Sequence, residues 1–315
     1  MNPAALRRVD AEELARLLPM PRAVRAVEAA LRAGLDPEAD IPRTVHEVAA
    51  GQLLLMPSAN SSYAGVKIAG VAPGNPGRGQ PRIIASYLLM DAETLRPAAL
   101  IDGSALTLLR TPAVSAVAVD HLAVPAAERL VVFGAGPQAR GHVEAVRAVR
   151  PLSWVGVVAR SPRQAAELVE HCREAGLDAE PVSPEAVATA DVVACCTTSR
   201  TPLFPASALA SHAVVVAVGS HEPTAREVDT ELVATATVVV EARAAALREA
   251  GDLLIPLRSG DIGPDRIAGN LAELVRGAVD TGAVGPKLFK SVGMSWQDLV
   301  VGAAAVERAG AGAAP

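Results

Sequence analysis

The sequence predicts an α/β protein that combines a Rossmann-type doubly wound parallel sheet with a second α+β domain. Two observations support this fold class. From "LVVFGAG" onward, continuous Val-rich runs alternate with helical segments, which is typical of a parallel sheet covered on both faces. The opening third instead contains short apolar or alternating runs separated by turn residues. The length of 315 residues is sufficient for two domains.

The first domain is expected to begin with two helices. Asp10 and Glu13, three positions apart, predict a capping box at the start of a short helix. Pro21 marks the start of a second helix, and Gly34 marks its end.

A β-meander is predicted next, from "QLLLMP", "GVKIAGV" and "IIASYLLMD". The "PGNPGRGQP" stretch between them is a loop by composition, and its Asn75 is best explained as a turn residue. A helix from Ser104 is expected to be interrupted by Pro112. The last helix, capped by Ser295, is expected to pack back on the first domain.

The second half predicts the nucleotide-binding fold. "LVVFGAG" and "WVGVVAR" are strands, each followed by a helix, and "DVVACCT", "AVVVAVG" and "TVVVE" continue the sheet. We expect a substrate-binding and dimerisation domain over residues 1–118, completed by residues 290–315, and a dinucleotide-binding domain over residues 119–289.

Composition and charge exclude several function classes. The net charge of −5 argues against nonspecific nucleic-acid binding. No apolar run reaches the roughly 18 residues that cross a bilayer, and no N-terminal signal pattern is present, so we expect a cytoplasmic protein without a membrane partner. Cys172, Cys195 and Cys196 lack the spacing of a zinc site or a disulfide framework, so no metal is expected.

A glycine-rich turn indicates a dinucleotide. Gly134 and Gly136 lie directly after a strand and before a helix, where the first permits the turn and the second lets a pyrophosphate approach the helix N-terminus. Ala139 replaces the third glycine of the usual fingerprint and is small enough for close packing. The alternative is a glycine turn without a ligand.

The end of the next strand favours NADPH over NADH. No acid is present there to bind the ribose hydroxyls, whereas Arg160 and Ser161 suit a 2′-phosphate. The alternative, that Arg160 and Arg163 are solvated loop charges, is stronger for Arg163.

Several segments together resemble the ornithine cyclodeaminase/mu-crystallin family. They occur in family order across nearly the whole chain: "GVKIAGVAPGNPGRGQP", "LMDAETLRPAALIDGSALTLLRTPAVSAVA", "VVFGAGPQARGH", "AREVD", "EAGDLLIPL" and "LFKSVGMSWQD". The resemblance implies a homodimer, a nicotinamide cofactor, and a small amino or imino acid substrate whose α-carbon faces the nicotinamide.

The resemblance also implies substrate contacts. Arg43 and Arg110 match the arginines that hold the substrate carboxylate, and guanidinium groups bind carboxylates bidentately. Lys67 matches the lysine near the reacting carbon, as a substrate contact and a catalytic group. Alternatively, Arg110 braces its helix and Lys67 extends its ammonium to solvent.

The remaining cofactor contacts rest on the resemblance to this family. Besides Gly134, Gly136, Ala139, Arg160 and Ser161, they are Thr111, Pro137, Gln138, Thr197, Thr198, Val218, Ser291 and Val292. Cys195 and Cys196 are expected to be small core residues.

His221 distinguishes two branches of the family. Members that cyclise ornithine carry an aspartate at this position, and a largely neutral imidazole does not replace that anion. The "SHxPxxREVD" pattern resembles the branch that reduces cyclic ketimines, with His221 as a second catalytic candidate or a residue that only shapes the pocket. Glu222, Arg226 and Glu227 are expected to be solvent-facing or structural.

The sequence therefore predicts NAD(P)H-dependent reduction of a cyclic ketimine, Δ1-pyrroline-2-carboxylate or Δ1-piperideine-2-carboxylate, to L-proline or L-pipecolate. Three alternatives remain open. They are an ornithine or lysine cyclodeaminase with recycled NAD, an amino-acid dehydrogenase of the alanine-dehydrogenase or biosynthetic-adduct type, and a nucleotide-binding protein without turnover.

Overall fold

A computed structural model describes residues 6–311 of the chain, which form two compact units. The first unit comprises residues 6–30, 39–110 and 294–311, and the second comprises residues 31–38 and 111–293.

The first unit is built around a six-stranded sheet. Its strands are β1 (Arg7–Val9), β2 (Thr44–Val48), β3 (Gly51–Ala59), β4 (Tyr63–Val71), β5 (Ile83–Asp91) and β6 (Pro97–Asp102). Its helices are α1 (Ala11–Leu17), most of α2 (Met20–Arg32), the start of α3 (Gly103–Leu122) and a C-terminal helix (Ser295–Ala311).

The order of the strands in this sheet is β1-β6-β5-β4-β3-β2, with only β1 parallel to its neighbour. The predicted meander is confirmed as β3, β4 and β5. Strands β1, β2 and β6 were not predicted. Strand β1 has only three residues and every residue of β2 is exposed, so β1 and β2 lack a clear alternation of buried and exposed residues.

Period-two alternation buries one face of this sheet. Leu54, Met56, Ala69 and Ala85 form an apolar cluster on that face. The C-terminal helix packs against β3, β4 and β5, as the sequence predicts.

Two local predictions require correction. Helix α3 continues through Pro112 without interruption. A proline inside a helix costs about 3 kcal/mol, and the burial of the following turn, including Ala113 and Val114, offsets that cost. At α1, Asp10 accepts the backbone N–H of Glu13, but the Glu13 carboxylate binds Arg7 at 2.6 Å rather than completing a capping box.

The second unit contains an eight-stranded sheet. Its strands are β7 (Arg129–Phe133), β8 (Trp154–Val158), β9 (Asp178–Pro181), β10 (Val192–Cys195), β11 (Val214–Ala217), β12 (Thr237–Val240), β13 (Ile267–Asn270) and β14 (Lys287–Lys290). Its helices are α4 (Pro137–Arg147), α5 (Pro162–Glu174), α6 (Thr230–Thr235), α7 (Arg243–Glu249), α8 (Gly251–Ser259) and α9 (Leu271–Val275).

All neighbours in this sheet are parallel, in the order β13-β12-β14-β11-β10-β7-β8-β9. The predicted doubly wound parallel sheet is therefore confirmed. The strand order reverses between β7 and β10, and ligands of open α/β sheets bind beyond the carboxyl ends of the strands at such a point.

Across residues 6–311, none of the helices combines the length and the apolar character that a membrane span requires.

Candidate active site

A buried lysine cluster, Lys67 with Arg110 and Asp298, lies in the first unit. Lys67 is on β4, Arg110 is on α3, and Asp298 is in the first turn of the C-terminal helix. The Lys67 ammonium binds Asp298 at 2.7 Å and donates to the Thr107 hydroxyl at 3.2 Å. Arg110 donates to Gln297 at 2.7 Å and lies 3.4 Å from Asp298.

The lysine cluster carries an excess of positive charge. All three side chains are buried, with Lys67 3% exposed, Arg110 5% and Asp298 0%. One carboxylate faces two cations, so an anionic ligand would find a net attraction here. The alternative in which Lys67 extends to solvent is wrong.

The pKa of Lys67 is lowered to about 8. Burial is the main cause because it disfavours the charged form, and the charges of Arg110 and Arg43 act in the same direction. Asp298 opposes them by attraction and hydrogen bonding. An amine with this pKa is mostly protonated at pH 7 and releases a proton far more readily than an ordinary lysine.

Arg43 lies just before the edge strand β2 and is half-buried. Its charge lowers the pKa of Lys67, so it belongs to the same electrostatic environment. The structure thus brings all three predicted substrate contacts into one unit.

Two further groups, the buried Tyr87 and the half-buried Asp40, lie near this cluster and were not predicted. The Tyr87 hydroxyl has no hydrogen-bond partner among the described residues, and burial together with the charges of Asp298 and Asp40 raises its pKa. Asp40 accepts from the Ser58 hydroxyl at 2.9 Å and from the Trp296 backbone at 3.1 Å, and burial raises its pKa. Tyr87 is therefore a neutral hydrogen-bond donor beside the lysine cluster.

The predicted glycine loop of the second unit connects β7 to α4. Gly134 has φ +101°, and a Cβ there would lie 2.5 Å from the Cys196 carbonyl oxygen, so only glycine fits. Gly136 is the N-cap of α4, and a Cβ there would meet open space. Its backbone is thus accessible at the positive end of an 11-residue helix. These features fit the pyrophosphate of a dinucleotide.

The first turn of α4 is fastened to α3. Ala139 is fully buried, which permits the close packing expected of the third fingerprint position. His142 contacts the Gln138 carbonyl oxygen at 2.7 Å and the Ser115 hydroxyl at 2.9 Å. Burial lowers its pKa to about 4, so the imidazole is neutral and structural at pH 7.

Arg160 and Ser161 follow β8. Arg160 is exposed, and Ser161 caps α5 by accepting the backbone N–H of Gln164 at 3.4 Å. Arg163 is also exposed and pairs with Glu167 at 3.0 Å within the same helix.

Thr197 and Thr198 follow β10, and Val218 follows β11. Thr197 is tied to the buried carboxylate of Glu227 by its backbone N–H and its hydroxyl. Thr198 is exposed and Val218 is half-buried.

Ser291 and Val292 follow β14 and are buried. The Ser291 hydroxyl donates to Glu241 at 2.7 Å, and the Val292 N–H donates to the same carboxylate at 2.9 Å. Glu241, which was not predicted, therefore fixes this segment.

The remaining predicted residues are in α3 and the loop after β11. Thr111 is buried in α3. His221 is exposed. Glu222 pairs with Arg200 at 2.8 Å on the surface, whereas Glu227 is fully buried.

Comparison with known proteins gives consistent results. The model of the ornithine cyclodeaminase/mu-crystallin family matches residues 4–312. A Delta(1)-pyrroline-2-carboxylate reductase of Bacillus cereus is 36% identical over 264 residues, covering 81% of each chain.

Two solved structures are similar to this protein over almost its whole length. The Thermococcus litoralis Delta(1)-pyrroline-2-carboxylate reductase, in complex with NADH and L-proline, has a TM-score of 0.90 and 31% identity, covering 98% of each chain. An archaeal alanine dehydrogenase dimer with bound NAD has a TM-score of 0.91 and 28% identity, covering 98% of this chain and 97% of its own. The chain belongs to the ornithine cyclodeaminase/mu-crystallin family.

Proposed function

We propose that the protein reduces a cyclic ketimine, Δ1-pyrroline-2-carboxylate or its six-membered homologue, to L-proline or L-pipecolate with a reduced nicotinamide cofactor. The observation that carries the proposal is the buried Lys67–Asp298–Arg110 cluster, in a chain similar to reductases of this substrate. The cluster offers a proton and a carboxylate-binding charge, which are what a cyclic imino acid requires from the protein.

The reaction adds one hydride to the imine carbon and one proton to the imine nitrogen. A bound nicotinamide supplies the hydride. Lys67 holds the proton on Nζ, and its pKa of about 8 allows transfer to the nitrogen near neutral pH. Arg110 and Arg43 bind the substrate carboxylate and thereby fix the position of the imine carbon.

We propose that the nucleotide is held by the glycine loop, with Gly134, Gly136 and the start of α4 at the pyrophosphate. The open space beside Gly136 and its position as N-cap support this assignment. The side-chain oxygen of Gln138 is buried and has no hydrogen-bond partner among the described residues, so it can accept from a donor group of the nucleotide other than the pyrophosphate.

NADPH is the proposed cofactor in preference to NADH. Arg160 is exposed at the end of β8, where it is accessible to a 2′-phosphate. The test compares the Kd of both nucleotides for wild type and Arg160→Ala. The variant should bind NADPH more weakly and NADH as before; equal losses for both nucleotides would contradict the preference.

Residues 1–118 and 290–315 are proposed to serve for substrate binding and dimerisation, and residues 119–289 for the dinucleotide. Strands β2, β4 and β5 of the first sheet expose large apolar side chains, and three of them lie on the face opposite the buried apolar cluster: Val48, Ile68 and Ile84. Such a surface is costly in water and suits a second copy of the chain. The dimeric archaeal alanine dehydrogenase supports a homodimer. Sedimentation of wild type and Ile68→Lys tests it, since the variant should dissociate.

One set of assays tests the activity. Purified protein is mixed with NADPH or NADH and, in turn, with pyrroline-2-carboxylate, piperideine-2-carboxylate, and pyruvate plus ammonia, while the absorbance of the reduced nicotinamide is followed. A parallel reaction with ornithine and NAD⁺ is assayed for ammonia. We expect oxidation of the cofactor by a cyclic imine.

The other outcomes would contradict this proposal. Turnover confined to pyruvate plus ammonia identifies an alanine dehydrogenase. Ammonia release from ornithine without net cofactor reduction identifies a cyclodeaminase. Nucleotide binding without turnover of any of these substrates supports a binding protein.

A further inference from the structure

One buried carboxylate joins two loops of the second unit. Glu227 accepts the backbone N–H of Thr197 at 2.8 Å and its hydroxyl at 2.7 Å through one oxygen. Its other oxygen accepts the backbone N–H of Gly219 at 2.7 Å. Thr197 follows β10 and Gly219 follows β11, so the carboxylate of Glu227 fastens the ends of two adjacent parallel strands.

The two loops are packed so closely that a side chain at position 219 cannot fit. A Cβ on Gly219 would lie 2.0 Å from the Thr197 carbonyl oxygen and 2.5 Å from the Glu227 carboxylate. The glycine therefore permits the contact that Glu227 maintains.

A second acid and a lysine hold Glu227 itself. Asp252 accepts the backbone N–H groups of Glu227 at 2.7 Å and Val228 at 3.1 Å. Lys290 pairs with Asp252 at 2.8 Å and donates to the Ser220 carbonyl oxygen at 2.7 Å. Glu227, Asp252 and Lys290, here named the Glu227 cluster, are almost completely buried.

These loops lie where nucleotide folds bind their ligand. Strand β10 is the neighbour of β7, which leads into the glycine loop, and the strand order reverses between them. We propose that Glu227 is a positioning residue for the dinucleotide, holding the loops after β10 and β11 in the arrangement that receives it. This inference rests on the proposed function and deepens it.

The arrangement requires an anionic Glu227, because all three of its partners are donors. Burial raises the pKa of Glu227 to about 7, with Asp252 acting in the same direction and Lys290 against it. Burial raises the pKa of the Cys195 and Cys196 thiols well above the usual value, and the charge of Glu227 acts in the same direction, so both thiols stay neutral. Below pH 7, a proton on Glu227 displaces one donor and loosens a loop.

The experiment measures the Kd of NADH by fluorescence titration without substrate, for wild type, Glu227→Gln and a matched control. In Glu227→Gln the amide NH₂ faces a backbone donor, so we expect about tenfold weaker binding or more. Asp191→Asn is the control because Asp191 also accepts two backbone N–H groups, those of Glu128 and Arg129, at the amino ends of β10 and β7. Its Kd should equal that of wild type.

Two further measurements separate positioning from general stability. The NADH affinity of wild type should fall as the pH drops below about 7, whereas that of Glu227→Gln should stay flat. Thr197→Val should weaken NADH binding in wild type but add little in the Glu227→Gln background, because the hydroxyl acts through Glu227. If Glu227→Gln does not fold, the pH dependence of NADH binding by wild type provides the test, and an affinity that stays flat below pH 7 would contradict the inference.

Unchanged NADH affinity in Glu227→Gln, or an equal loss in Asp191→Asn, would overturn the inference. So would wild-type affinity in Thr197→Val, or full additivity of the two substitutions. These results are distinct from failure of the proposed function. In that case the wild-type protein would bind neither NADH nor NADPH, or it would bind a nucleotide but reduce no cyclic imine.

Discussion

The two units each bury a cluster of charges, but with opposite balance. The lysine cluster of the first unit has two cations around one carboxylate, and the Glu227 cluster of the second has two carboxylates around one lysine. In the second unit, backbone N–H groups of Thr197 and Gly219 satisfy the surplus acid. In the first unit, Lys67 and Arg110 share the carboxylate of Asp298.

This difference distinguishes the proposed substrate site from a cluster that holds loops in place. Buried charges are costly unless each is paired and hydrogen-bonded. The Glu227 cluster meets that condition with protein groups, so it stabilises loops. The lysine cluster retains net positive charge, which we propose that a substrate carboxylate neutralises.

The largest effect should come from Lys67→Met. Removing the proton donor should lower kcat with pyrroline-2-carboxylate by about 100- to 10,000-fold. The fold should persist, because Asp298 still pairs with Arg110. Stopped-flow kinetics and the Kd of NADH are measured together; a normal kcat would remove Lys67 from the mechanism.

Lys290→Met should lower the stability of the protein, whereas Lys67→Met should lower its turnover. It leaves Asp252 and Glu227 buried without their cation and should cost about 3–5 kcal/mol in the free energy of unfolding. Urea denaturation measures the loss. Lys287→Met, on the same strand but half-buried, is the control and should change little. Equal stability of the two variants would contradict the structural role of the Glu227 cluster.

Arg110→Ala should act mainly on substrate capture. Losing the guanidinium should raise KM for the imino acid, with about 2–4 kcal/mol lost from kcat/KM. Arg110→Lys keeps the charge but not the bidentate geometry, so its loss should be intermediate. Steady-state kinetics at saturating cofactor decide this, and an unchanged KM in Arg110→Ala would be evidence against the carboxylate site.

Among the effects on activity, that of Asp298→Asn should be the smallest, a shift of the pH profile, whereas its stability should fall because Lys67 and Arg110 lose the carboxylate that they share. Asp298 raises the pKa of Lys67 against burial and the two arginines. Without that anion the pKa falls below about 8, so the alkaline decline of kcat/KM should move to lower pH. The titration of the substrate itself is the same for both proteins, so it cancels when kcat/KM of the variant is divided by that of wild type. A shift to higher pH would reverse the assigned roles.

Local patterns were enough to predict much of this architecture. The glycine loop after β7, the parallel Val-rich strands and the three-stranded meander were predicted correctly, since each depends on neighbouring residues. The continuity of α3 through Pro112 was not predicted, because burial of the surrounding residues outweighs the tendency of proline to interrupt a helix. Asp298 was not predicted, although it lies in the "SWQD" segment, because its partner Lys67 is 231 residues away in the chain.

The amino-acid sequence by itself determines the family, the chemical groups that are available and the order of the strands along the chain. These features depend only on residue type and spacing. Which of these groups are paired does not. Lys67 with Asp298, and Glu227 with Thr197 and Gly219, meet only when strands and helices from distant segments pack together. Burial then shifts the pKa of Lys67 down and that of Glu227 up, because desolvation disfavours whichever charge is enclosed.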